Sequence, residues 1–143
     1  MFKTTLAAGL AAFVLSAADA AGAAELVVIV SARTPVTALR GDQVAGIFLG
    51  EGTTFPEGGE AVPVDQGIGS PLRDEFYGKV ANRSPALMKA YWTKMIFTGR
   101  GQPPREAPSS AAVRRLVADN PGMVGYIERT ALDPTVRPVL VLK

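Results

Sequence analysis

Five consecutive apolar and largely β-branched residues, Leu26-Val27-Val28-Ile29-Val30, constrain this chain more than any other segment. A strand with one wet face alternates apolar and polar residues, so an unbroken run is the mark of a strand covered on both faces. Such strands belong to sheets with helices packed on each side, and the segments that follow fit that expectation. From about Asp42, Val44, Ile47 and Phe48 fall at i, i+3, i+4, a helical spacing ended by Gly50. Glu51 to Glu60, with its glycines and Pro56, reads as a loop. Ala61 to Asp65 reads as a short strand in which Pro63 demands an edge or a strand end, where its missing N–H is not needed.

Two helices then open on the same signal. Ser70-Pro71 and Ser84-Pro85 each place a capping hydroxyl before a proline in the first turn. Leu72, Phe76, Tyr77 and Val80 form the buried stripe of the first helix. Leu87, Met88, Tyr91, Trp92, Met95 and Ile96 form a wide apolar face on the second, where Tyr91 and Trp92 are read as core. Thr98 to Pro108, rich in Gly and Pro, reads as a loop in which Arg100 and Arg105 face solvent. Ser109 or Ser110 caps a further helix with Val113, Leu116 and Val117 inward, stopped at Asn120-Pro121-Gly122, and strands at Met123–Ile127 and Val136–Leu142 close the chain. The order β-α-β-α-α-α-β-β, without internal repeats, predicts one α/β lobe with a small mixed sheet and helices on both faces.

The segment before this run is different in kind. Lys3 provides a positive start, Leu6 to Ala18 is an apolar stretch, and Ala21-Gly22-Ala23-Ala24 is a string of small residues, together the pattern of a secretory signal peptide over 1–24 with a single domain from 25 to 143. The apolar stretch, about 13 residues, falls short of the roughly 20 that a membrane-crossing helix needs. A periplasmic location is therefore expected, and without a cysteine no lipid anchor is expected. The full chain has 143 residues and a net charge of +2, with 15 basic and 13 acidic residues. So small and dispersed a charge excludes the basic footprint of a nucleic-acid binder.

Absences narrow the chemistry further. With no Cys and no His, a Ser-His-Asp triad, a cysteine nucleophile, a thiolate zinc site and a disulfide framework are all excluded. An enzyme working through Mg²⁺ or Ca²⁺ is disfavoured, because Asp65 is the only acid at a plausible loop mouth and such ions gather several oxygen ligands. No catalytic residue, metal or cofactor is expected. Binding is left, and Asp65-Gln66-Gly67-Ile68-Gly69-Ser70 is the best place for it. Glycines at 67 and 69 let backbone approach a ligand while the next helix aims its free N–H groups at the same spot. Ser70 Oγ and Arg73 would contact a small anion there; the bland alternative is that Ser70 only caps and the glycines only turn the chain. Arg33 and Thr34 join this site if the first strand runs in the same direction as the second, and otherwise Arg33 is a solvated loop residue. Adjacent Asp74 and Glu75 diverge around the helix axis and read as favourable first-turn acids.

The ordered set of segments Ala45-Gly46-Ile47-Phe48-Leu49-Gly50, Ala61-Val62-Pro63-Val64, Gly69-Ser70 with Arg73 and Phe76, Tyr91-Trp92, and Asn120-Pro121-Gly122-Met123-Val124-Gly125-Tyr126-Ile127 resembles the phosphate-type substrate-binding proteins of ABC transporters. The resemblance runs from about Leu26 to Leu142. It implies one lobe of a type 2 periplasmic-binding-protein-like fold, phosphate or a similar oxyanion as ligand, and a transporter or other periplasmic or membrane protein as partner. In that family an Arg precedes the anion loop and a Thr closes it. Here those places fall on Asp65 or Gln66 and on Leu72, leaving Gly69 and Ser70 as the carried-over contacts, with Asp65 placed to repel an anion. Two roles follow: oxyanion capture, or a lobe that docks on a protein partner without a solute. A homodimer that rebuilds a two-lobed cleft is compatible with either.

Overall fold

The computed structural model describes residues 25–143. The signal-peptide reading of 1–24 lies outside them. Five strands, β1 (Leu26–Ser31), β2 (Val62–Gln66), β3 (Arg105–Ala107), β4 (Met123–Glu128) and β5 (Val136–Leu142), form one mixed sheet in the order β3-β2-β4-β1-β5. Four helices accompany them: α1 (Gly41–Phe48), α2 (Pro71–Ala81), α3 (Pro85–Phe97) and α4 (Ser110–Asp119). A 3-10 turn at Arg129–Ala131 leads from β4 towards β5. No helix among the described residues is long and apolar enough to cross a membrane.

The apolar run that opens the domain is the sheet's buried axis. All six β1 residues are buried, flanked by β4 and β5 in antiparallel register from Leu26↔Glu128 and Leu26↔Leu142. Its alternate side chains feed two separate cores. Leu26, Val28 and Val30 meet Val44, Phe48, Phe76, Met88 and Trp92 of α1, α2 and α3, whereas Val27 and Ile29 meet Val113 and Val117 of α4. Helices therefore cover both faces, as the continuous pattern requires.

Gly125 of β4 makes the α4 side possible. A Cβ there would lie 2.5 Å from Val113 Cγ1 and 3.2 Å from Val117 Cγ2. Only a bare backbone lets the helix come this close.

β2 runs parallel to both β3 and β4. Val62 donates its N–H to Gly122 of the β4 side at 2.8 Å, so strand alternation turns Pro63 towards the β3 side, where pairing begins only at Val64↔Arg105. The proline sits at the strand end, where no donor is required.

Two expectations need correction. The Gly/Pro-rich span 98–108 is not all loop, because Arg105–Ala107 pairs with β2 as the third strand. The wide apolar face of α3 is buried only at Met88 and Trp92; Leu87 and Ile96 are more than half exposed and Phe97 is 91% exposed.

Candidate binding site at the α2 N-terminus

The carboxyl end of β2 delivers Asp65 and Gln66 into the core at the point where the chain leaves the sheet. Both side chains are buried. Gly67 to Ser70 then reverses direction in a turn closed by the Ser70 N–H donating to the Gly67 carbonyl at 3.0 Å, with Gly69 at φ +89°. That left-handed value favours glycine, since a side chain would strain it. Ser70 caps α2, its Oγ accepting from the Arg73 N–H at 3.4 Å, and Pro71 fills the first turn.

Around Asp65 the structure assembles a closed polar cluster. Tyr77 Oη donates to Asp65 Oδ2 at 2.5 Å, Tyr126 Oη donates to Oδ1, and the Gln66 N–H lies 2.8 Å from Oδ1. Arg73 Nε stands 3.5 Å from Oδ2, and its guanidinium lies over the Tyr77 ring at 5.1 Å from the centroid. Burial pushes the Asp65 carboxyl above the usual carboxylate range, against the pull of Tyr126, Tyr77 and Arg73, which favour the charged form. Burial and the adjacent carboxylate hold both phenols protonated far above their ordinary value. Asp65 is thus an internal acceptor and not an acid at a loop mouth.

Arg73 is the group left over. Its side chain is only 9% exposed, yet Nε is buried without a hydrogen-bond partner. A guanidinium carries five donors, and Asp65 approaches only one edge of it. The remainder borders a groove of about 700 Å³ lined by Ile68, Gly69, Met88, Trp92, Ile96 and Pro103, among others, with Asp74, Lys89 and Glu106 also on its wall. Trp92 Nε1, a second donor in that lining, is also buried and unpartnered.

Of the residues singled out in the sequence, Gly67, Gly69, Ser70 and Arg73 share this turn and helix start. Arg33 and Thr34 do not join them. β1 is antiparallel to β4, which is parallel to β2, so the chain leaves β1 at the opposite end of the sheet. There Arg33 Nη2 donates to the Ala118 carbonyl at 3.1 Å, at the end of α4, and Thr34 is buried with its carbonyl accepting from Arg137. Tyr77, Tyr126 and Trp92 were legible only as core positions, because nothing in their spacing shows where a phenol or an indole N–H ends up. Among the described residues no group of three potential metal-ligating side chains occurs.

Solved structures match the fold of this domain. A protein from Clostridium perfringens, assigned as a phosphate ABC transporter substrate-binding protein and solved with bound phosphate, matches with a TM-score of 0.63 and 26% identity, over 80% of this chain and 44% of its own. An ABC-type phosphate transport receptor from Vibrio cholerae matches with a TM-score of 0.64 and 21% identity, over 80% and 45%. PstS from Borrelia burgdorferi matches with a TM-score of 0.57 and 14% identity, over 83% and 46%. The fold is that of one lobe of the phosphate-type substrate-binding proteins of ABC transporters, which bind solutes and are not enzymes. This chain spans less than half the length of the structures it matches. No family model and no curated protein sequence matches it.

Proposed function

We propose that this domain is a periplasmic solute-binding lobe that captures a small phosphate-like oxyanion at the Gly67–Ser70 turn, with Arg73 as its charged contact. The observation that carries the reading is the Arg73 guanidinium, nearly buried at the start of α2 with Asp65 at its Nε edge and the groove beside it. A guanidinium carries five donors, more than the one carboxylate edge beside Nε takes up, and a bound oxyanion would accept from those that remain. The positive end of α2 adds to the attraction. Likeness to a phosphate-bound structure at 26% identity supports the same assignment. Export through the N-terminal signal peptide and delivery to an ABC transporter complete the reading.

A thermal-shift titration of residues 25–143 with phosphate, sulfate and a chloride control at constant ionic strength tests it. A ligand at about 100 times its Kd adds roughly 2.7 kcal/mol, which raises the Tm of a domain this size by about 10 °C. A shift with phosphate that disappears in Arg73→Gln supports the assignment, and no shift with either oxyanion overturns it.

A second reading rests on a different observation. Leu87, Ile96 and Phe97 expose apolar surface along α3, which suits a lobe that docks on a protein partner or on a second copy of itself without a solute. Retention of α3-dependent association without anion binding would favour it.

A further inference from the structure

The groove beside Arg73 is larger and more apolar than a bare inorganic ion needs. Its volume of about 700 Å³ is in the range of pockets that hold whole organic ligands. Beyond the guanidinium its walls are mainly carbon: Ile68, Met88, Trp92, Ile96 and Pro103. Oxygens of an inorganic ion turned towards such walls would lose water and gain nothing. Ile68 and Ile96 stand 81% and 55% exposed at this groove, apolar surface that a ligand body would cover. Arg73 and Trp92, two of the side chains that line it, carry N–H donors, so a ligand fitting them brings acceptors.

We propose that the site takes an organic anion, a phosphate-like oxyanion head held at Arg73 and carried on an apolar body that lies along Met88, Trp92 and Ile96. This rests on the oxyanion reading of Arg73 and adds the class of substrate. The ligand is assigned as a soluble small molecule, and the vesicle arm of the experiment tests it against a lipid headgroup carrying the same chemistry.

Trp92 is the single tryptophan of the chain, so its fluorescence reports on the groove directly. The probes are inorganic phosphate, a series of monoalkyl phosphates from ethyl to hexyl, and hexanol. Hexyl phosphate is expected to change Trp92 emission saturably and to bind more than about tenfold tighter than inorganic phosphate, with affinity rising by up to roughly fourfold per buried methylene. Ile96→Asn, a half-exposed position whose change spares the core, flattens that chain-length dependence. Arg73→Gln weakens every anionic probe. Equal affinities for inorganic and hexyl phosphate would overturn the organic-ligand inference and leave the oxyanion reading standing. Hexanol binding as tightly as hexyl phosphate would also overturn the organic-anion inference, and no binding by any probe would overturn both readings. Sedimentation with phosphatidylcholine vesicles that depends on added phosphatidic acid, in a protein that ignores the free monoesters, would overturn the soluble-ligand assignment.

Discussion

Asp65 and Arg73 face each other across the β2–α2 junction at 3.5 Å, with 2% and 9% of their side chains exposed. Eight residues apart in sequence, they form the one buried ion pair among the described residues, and each has a further demand on it. Removing one partner of such a pair leaves the other charged in a dry site, a loss of about 3–5 kcal/mol. Asp65→Ala is expected to lie in that range, because Tyr77 and Tyr126 also lose their acceptor. Arg73→Met should cost less, since Asp65 keeps two phenols and a backbone N–H. Urea unfolding of both variants and of the double variant measures the coupling, and additivity would contradict a buried pair.

The same carboxyl governs one part of the pH dependence. Burial raises its folded-state pKa above the ordinary carboxylate value. The stabilisation from protonated Asp65 is therefore fully present below the unfolded value and is lost as pH rises through the folded one. Asp133 has the opposite sign. The Thr135 hydroxyl and N–H, with Arg114, hold it below the usual range, so its contribution is present above the ordinary carboxylate pKa and lost as pH falls through its lowered value. Stability measured by urea from about pH 3 to pH 7 should show Asp65→Asn gaining on the parent as pH rises. Asp133→Ala should converge on the parent towards acid. A pH-independent Asp65→Asn difference would contradict the raised pKa.

How much of this was legible in the sequence follows from the kind of signal each feature leaves. The continuous β1 run and the Ser-Pro starts of α2 and α3 act locally, and local chemistry survives folding. β3 left no signal: three residues between Pro103-Pro104 and Pro108 carry no period, and only the parallel edge of β2 makes them a strand. The α3 stripe was read as buried because periodicity reports an amphipathic helix without reporting whether anything covers all of its apolar face. Leu87 and Ile96, at 57% and 55% exposure, show the difference. The site was half legible. Gly67, Gly69, Ser70 and Arg73 lie within seven residues of sequence, but the phenols that donate to Asp65 come from 12 and 61 residues away. Strand direction, which separates Arg33 and Thr34 from that turn, has no periodic signature at all.

Ser70 is a cap before it is a ligand contact. Its Oγ already accepts from the Arg73 N–H, so Ser70→Ala should cost about 1 kcal/mol of stability and Ser70→Gly only a few tenths. Anion affinity in Ser70→Gly, where stability is nearly preserved, isolates the hydroxyl's role. Affinity within a factor of about two of the parent would leave Arg73 as the contact that matters, whereas a larger loss would require Oγ to turn from the cap to the ligand.

Gly125 offers the sharpest test of the packing. A methyl group there would stand 2.5 Å from Val113 Cγ1, closer than real carbon neighbours come, and the obstruction is the short, branched side chain of a buried helix residue with no flexible end to swing aside. Gly125→Ala should therefore push α4 off the sheet and cost about 1–3 kcal/mol. Val113→Ala alone should cost about 1–2 kcal/mol for its lost methyl groups, yet in the double variant the alanine at 125 fills part of the space that Val113 vacated. The double variant should then be more stable than the sum of the two losses predicts, by a coupling in the range of 0.5–3 kcal/mol typical of residues in contact, roughly speaking. Simple additivity in thermal unfolding would mean that α4 is not seated on Gly125 as described. Because α4 packs on the sheet face opposite α2 and α3, the same variants should leave binding at Arg73 unchanged.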